Sequence, residues 1–148
     1  MQPAVVNFKE RVMKSFQKQT ACASIGLKLS NVEAGEALFT LPFNSNFTQQ
    51  HGFMHAGIIT TALDTACGYA AFSLMPEDAA VLSIEFKTNL LRPAIGERFL
   101  ILGKVIKPGR NINFCEATAT AIDAHGAETK VATMSASIMA VYDRAISD

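Results

Sequence analysis

The chain has 148 residues, one domain's worth, enough to bury about two-thirds of its unfolded surface in a single core. Charged residues make up 18%, below the roughly 25% of an ordinary soluble domain, apolar residues make up 49%, and thirteen Lys and Arg cancel thirteen Asp and Glu. This excludes a disordered chain, a basic nucleic-acid-binding domain and a disulfide scaffold, and the charge deficit predicts that part of the surface is hidden by self-association.

Residues 4–18 set Val5, Phe8, Val12 and Phe16 at helical spacing with Lys9, Lys14 and Lys18 between them, which predicts a short amphipathic helix. Residues 1–20 therefore read as an accessory helix and residues 21–148 as a single domain. Lys9, Glu10 and Arg11 stand where a secretory peptide needs its apolar run, so a cytoplasmic protein is expected. Cys22, Cys67 and Cys115 include no C-x-x-C pair and fit reduced, intracellular thiols. From Ile25 the period becomes two: Ile25, Leu27 and Leu29 alternate with Gly26, Lys28 and Ser30, and after Glu33-Ala34-Gly35-Glu36 a second strand covers 37–41, giving a hairpin.

Pro42, Asn44, Ser45 and Asn46 mark a loop, and beyond His51 a long helix is expected over 57–75. The weakly polar run 52–75 is long enough to be tested as a membrane span, and it fails. Asp64 at its middle would cost roughly 3 kcal/mol, no basic cluster flanks it, and its residues are Ala, Gly and Thr rather than Leu and Ile. After Pro76 four strands are predicted at 81–91, 98–106, 112–122 and 129–142, joined by breaks short enough to suggest a meander of antiparallel neighbours. The fold class is α+β, six antiparallel strands around one central helix.

At about 100° per residue, Gly57, Thr60, Thr61, Cys67, Gly68 and Ala71 lie within about 60° of Asp64, and all are small. The opposite side carries Ile58, Ile59, Ala62, Ala66, Tyr69, Ala70 and Ser73, so the helix has no charged face and is expected to be buried all round.

The run Gln49-Gln50-His51-Gly52-Phe53-Met54-His55-Ala56-Gly57, then Leu63-Asp64-Thr65-Ala66, Ser83-Ile84-Glu85-Phe86 and Leu91-Arg92-Pro93, resembles the hot-dog-fold acyl-CoA thioesterases of the phenylacetate-degradation, PaaI-like, type. The resemblance extends over about residues 25–142. Ala56 stands where that motif has its first Gly, and Gln49 where many members have Asn. The resemblance implies a hot-dog fold, hydrolysis of an acyl-CoA thioester without a cofactor, and sites built between two copies of the chain.

Thioester hydrolysis needs a nucleophile or water-activating base on one side of the carbonyl and hydrogen-bond donors where the oxyanion develops. Asp64 is the only ionisable side chain in the helix middle and takes the first role. The unpaired backbone N–H groups of Ala56 and Gly57 at the helix start take the second, where the resemblance also places them. By resemblance Gln49 holds the thioester carbonyl or a water, Ser83 supports the attacking water, and His55 contacts substrate. Strict alternation, however, puts Ser83 with Glu85, Lys87 and Asn89 on the face opposite Leu82, Ile84 and Phe86, so its role needs a bulge or a partner chain. Arg92, Lys107 and Arg110, at strand ends, are candidates for the phosphates of coenzyme A. No metal is expected, because His51 and His55 have no third ligand at a familiar spacing.

Asp64 lies eight residues beyond Ala56, roughly 12 Å along one helix, and one carbonyl cannot touch both. A site using both groups must take Asp64 from one chain and the helix start from another, which predicts a homodimer or dimer of dimers with antiparallel central helices. The acyl group is expected to be medium-chain or aromatic. Two rivals remain at this level: a hot-dog 3-hydroxyacyl-thioester dehydratase using His51 with Asp64, and a non-catalytic acyl-CoA-binding protein. Turnover of acyl-CoA against a crotonyl-type substrate discriminates them. Neither nucleic acid nor membrane is an expected partner.

Overall fold

The structure, a computed structural model, describes residues 1–142 and 146. Its elements are α1 (Phe8–Phe16), α2 (Thr20–Ile25), β1 (Lys28–Glu33), β2 (Glu36–Pro42), α3 (Ala56–Phe72), β3 (Ala80–Leu90), β4 (Arg98–Lys107), β5 (Ile112–Ile122) and β6 (Glu128–Val141). The six strands form one antiparallel sheet in the order β1-β2-β4-β5-β6-β3, and α3 packs on it against β2, β3, β4, β5 and β6. This is the α+β arrangement expected, and no helix among the described residues is long and apolar enough to cross a membrane.

Three local expectations need correction. The first helix starts at Phe8 rather than residue 4, and Val6 ahead of it is fully exposed. Ile25 does not begin the hairpin. It ends α2, which stops at Gly26 in the left-handed conformation (φ 76°), and β1 starts only at Lys28. The last four strands are not a simple meander either, since β3 pairs with β6 at the sheet edge while β4 pairs with β2 and β5. The β3–β4 connection, residues 91–97, spans roughly 23 Å when extended, more than three strand spacings of about 4.8 Å. A short connection therefore does not require neighbouring strands.

The inner face of the sheet explains how α3 fits. Register aligns Phe39, Ile101, Ala119 and Ala132 in one row and Ala37, Gly103, Ala117 and Met134 in the next. Large side chains stand on β2 and β4, whereas from residue 115 to 121 β5 contributes Cys115, Ala117, Ala119 and Ala121, all buried. These small residues let the helix backbone approach the sheet. Gly103 marks the closest point, where an added Cβ would lie 2.3 Å from the Ala66 carbonyl oxygen and 2.9 Å from the Cys67 nitrogen. Both are backbone atoms and cannot swing away. Gly103→Ala is therefore expected to lower unfolding free energy by about 3 kcal/mol, read as a shifted urea midpoint; an unshifted midpoint would show that helix and sheet can separate at no cost.

The N-terminal helices are tied to this core. Arg11 donates to the carbonyls of Met75 and Ala79, each at 2.8 Å, and its guanidinium lies 3.9 Å from the Phe72 ring centre. Phe16 packs edge-on against Phe39 and Tyr69. At the far edge β3 has one strand neighbour and leaves Leu82, Ile84, Phe86 and Leu90 between 45% and 59% exposed.

Candidate active site

The loop ahead of α3 aims the helix start. Thr48 and Met54 form a bridge, the His55 N–H donates to the Phe47 carbonyl at 2.9 Å, and the Met54 N–H donates to Ala94 in the β3–β4 connection at 3.1 Å. Gly52, at φ 83°, makes the turn between them. His55 then caps α3: its backbone is extended (φ −60°, ψ 135°) and its Nδ1 accepts the Gly57 N–H at 2.9 Å. The Gly57 donor predicted for an oxyanion is thus held by the cap. The Ala56 N–H has no partner among the described residues, and Ala56 lines a cavity of about 370 Å³ with Gln49, Phe53, Ile59, Leu90 and Arg92. Gln49 accepts the His51 N–H through its Oε1, which leaves its Nε2 to donate.

Two turns further along α3, Asp64 opens into a different cavity. This one is about 250 Å³ and is lined by Gln19, Asp64, Gly68, Tyr69, Val81 and Ser83 among others. The expectation that α3 is covered on all sides is corrected here. Gly57 is exposed, and Thr60, Thr61, Asp64 and Gly68 are half-buried, while Cys67 and Ala71, placed on the Asp64 side by helical angle, are fully covered within the chain. The uncovered strip is what a single copy leaves open.

Ser83 reaches Asp64 because β3 contains a bulge. The register slips between Ser83 and Glu85, so Ser83 pairs with the buried Ile138 and faces inward with Phe86 and Thr88, which pair with Ala136 and Met134. Its Oγ donates to Asp64 Oδ1 at 2.6 Å. Burial pushes the Asp64 carboxyl above the ordinary carboxylate range, and the Ser83 hydrogen bond pulls in the opposite direction. Ser83→Ala removes the pull, so the acid limb of a pH–rate profile governed by Asp64 ionisation is expected to move to higher pH. A profile that stays in place would detach Ser83 from the titration.

The candidate phosphate ligands are not gathered in one place. Arg92 donates to the Lys130 carbonyl at 3.1 Å and borders the Ala56 cavity. Lys107 ends β4, and Arg110 borders a cleft of about 1010 Å³ beyond the opposite end of α3, with Leu74, Met75 and Pro76. His51 borders neither the Asp64 nor the Ala56 cavity. Among the described residues no three His, Cys, Asp or Glu side chains could hold a metal ion. Burial pushes all three cysteine thiols up, which disfavours their thiolates.

One polar group was missed by the sequence reading. Gln19 and Tyr69 wall the Asp64 cavity, but Gln19 sits at the start of the unpredicted α2, and nothing in local periodicity links it to a residue 45 positions later.

The family profile of the thioesterase superfamily matches residues 51–127, from the loop before α3 to the turn before β6. The chain belongs to the thioesterase superfamily. A solved thioesterase family protein from Silicibacter pomeroyi is 47% identical, with a TM-score of 0.90 over 93% of this chain and all of the other. A curated relative from Saccharolobus solfataricus, assigned as an esterase, is 34% identical over 88 residues, which are 60% of this chain and 62% of that protein. This superfamily member thus spans about three-fifths of the length of that relative. The E. coli PaaI protein from the phenylacetic acid degradation operon shares the fold at a TM-score of 0.78 and 15% identity, over 91% of this chain and 96% of the other. Superfamily membership and the shared architecture give the chain the hot-dog fold.

Proposed function

We propose that the chain is a cytoplasmic, PaaI-like acyl-CoA thioesterase that works as a homodimer or dimer of dimers. Asp64 and Ser83 of one protomer act on a carbonyl held by the Ala56 N–H and Gln49 of the other. The observation that carries this reading is the separation of the two halves. Within one chain the Asp64–Ser83 pair and the free Ala56 N–H open into cavities that share no lining residue, as their roughly 12 Å spacing along α3 requires. The open strip Gly57, Thr60, Thr61, Asp64 and Gly68 has the small side chains that let a second α3 approach antiparallel. The half-exposed apolar edge strand β3 offers a pairing surface on the same side of the molecule as Ser83.

In the joined site, ionised Asp64 acts as nucleophile or as the base that activates water. With water as nucleophile, Asp64 takes its proton as the carbon–oxygen bond forms, the Ala56 N–H stabilises the oxyanion, and the carbon–sulfur bond breaks as Asp64 passes that proton to the departing thiolate; with Asp64 as nucleophile, water then hydrolyses the acyl anhydride and the proton released goes to the thiolate. The apolar cavity beside Ala56, with Phe53, Ile59 and Leu90, suits a medium-chain or aromatic acyl group. Arg110, bordering the cleft at the C-terminal end of α3, stands roughly 15 Å along the helix direction from Asp64, a distance an extended pantetheine arm can cover, and with Lys107 is assigned the phosphates. Arg92, at the mouth of the acyl cavity, contacts the substrate there. An acyl-CoA panel measured by free-thiol release tests the reading. Hydrolysis with kcat/KM highest for medium-chain or aromatic esters supports it, and hydration of a crotonyl ester without thiol release would replace it with the dehydratase.

A further inference from the structure

Gln19 is exposed, yet its side chain is pinned from both ends. The Cys22 thiol donates to its Oε1 at 3.1 Å, and its Nε2 donates to the Tyr69 hydroxyl at 3.1 Å. Both anchors are buried, Tyr69 also pairs with Ser15 at 3.1 Å, and its ring is wedged among Phe16, Phe39 and Phe72. Cys22 Sγ also lies 3.4 Å from Thr65 Oγ1, and in either orientation of the carboxamide both of its ends are engaged. One Nε2 proton remains without a partner among the described residues. Gln19 is the N-cap of α2 but makes no side-chain cap hydrogen bond, so helix capping does not account for its placement. It borders the Asp64 cavity together with Ser83.

We propose that Gln19 is a substrate-binding residue that reads the thiol half of the thioester, donating its free N–H to the first amide carbonyl of the pantetheine arm. The inference rests on the hydrolase reading above. With the acyl group in the apolar cavity of one protomer, the sulfur leaves from the other side of the carbonyl, along the Asp64 cavity of its partner. The first amide of pantetheine follows the sulfur after two methylenes, close enough to reach a group on the wall of a cavity of about 250 Å³. A carbonyl acceptor matches an amide donor already held in position, so little side-chain freedom is lost on binding. An acyl chain has no acceptor to offer at that point.

The test uses two thioesters of the same acyl group, one of N-acetylcysteamine, which keeps the first amide, and one of butanethiol, which lacks it. For Gln19→Met, close in volume, kcat/KM on the N-acetylcysteamine ester is expected to fall about fivefold while the butanethiol ester is hydrolysed as by the wild type. Thermal unfolding of the variant separates this from loss of fold. An equal fall on both esters, or no fall on either, overturns the assignment of Gln19 and leaves the hydrolase reading standing. A wild-type protein that hydrolyses neither ester nor any acyl-CoA overturns both.

Discussion

Asp64→Asn is expected to lower kcat for thioester hydrolysis by about 10²–10⁴-fold while leaving the fold and subunit association intact, measured as thiol release alongside size-exclusion elution. Asn keeps the shape and can still accept the Ser83 hydroxyl, so the lost function is the ionised carboxylate alone. The same substitution should raise thermal stability at neutral pH. Burial lifts the folded-state pKa of Asp64 above its ordinary value of 3.8, so as pH rises past that value the folded state holds a proton that the unfolded state has lost. Keeping the buried carboxylate ionised then costs folding stability, and the cost reaches its full size above the folded-state pKa. Asn cannot ionise and escapes it. The gain should vanish below pH 3.8, where the group is protonated in both states. Unchanged hydrolysis would remove Asp64 from the reaction, and a fall in stability at neutral pH would mean that the carboxylate is better solvated than its surroundings indicate.

The second large effect comes from a backbone atom. Ala56 is the first residue of α3, the position where proline is best tolerated because that N–H bonds to nothing in the helix. His55 already holds the extended conformation that precedes a proline (φ −60°, ψ 135°). Ala56→Pro therefore deletes the N–H assigned to the oxyanion with little strain elsewhere. It is expected to lower kcat by about 10²–10³-fold, with an unchanged circular dichroism spectrum. The Gly57 N–H cannot substitute, since His55 Nδ1 engages it. Full activity in the proline variant would place oxyanion stabilisation elsewhere, with Gln49 Nε2 the next donor in the same cavity.

The elements that were legible in sequence are those whose signal is long. β3 to β6 each carry ten or more residues of period two, and α3 carries seventeen residues without a charged face, so their places were readable to within a few residues. The six-residue α2 was not, because Ile25, Leu27 and Leu29 continue an alternation that conceals the helix end at Gly26. The bulge beside Ile84 was hidden in the same way. Leu82, Ile84 and Phe86 read as one face, and only pairing with β6 shows that Ser83 and Phe86 share it. Strand order is a long-range property, decided by how the sheet wraps α3 rather than by loop length. For the candidate site, the separation of Asp64 from the helix start was readable because helical rise is a fixed length. The His55 cap was not, since histidine is not among the preferred N-cap residues and its ring competes for the Gly57 N–H that the sequence reading assigned to substrate.

The proposed sharing of one site between two protomers is tested most directly by mixing the two disabled proteins. Asp64→Asn keeps the Ala56 donor, and Ala56→Pro keeps Asp64, so a dimer containing one of each has one site built entirely from intact groups. After subunit exchange at equal amounts, half the dimers are mixed and each has one working site of two, so the account predicts recovery of about one quarter of wild-type activity. A mixture no more active than its two components, with exchange verified by a mass tag, would show that Asp64 and Ala56 serve the same substrate within a single chain and would contradict the account.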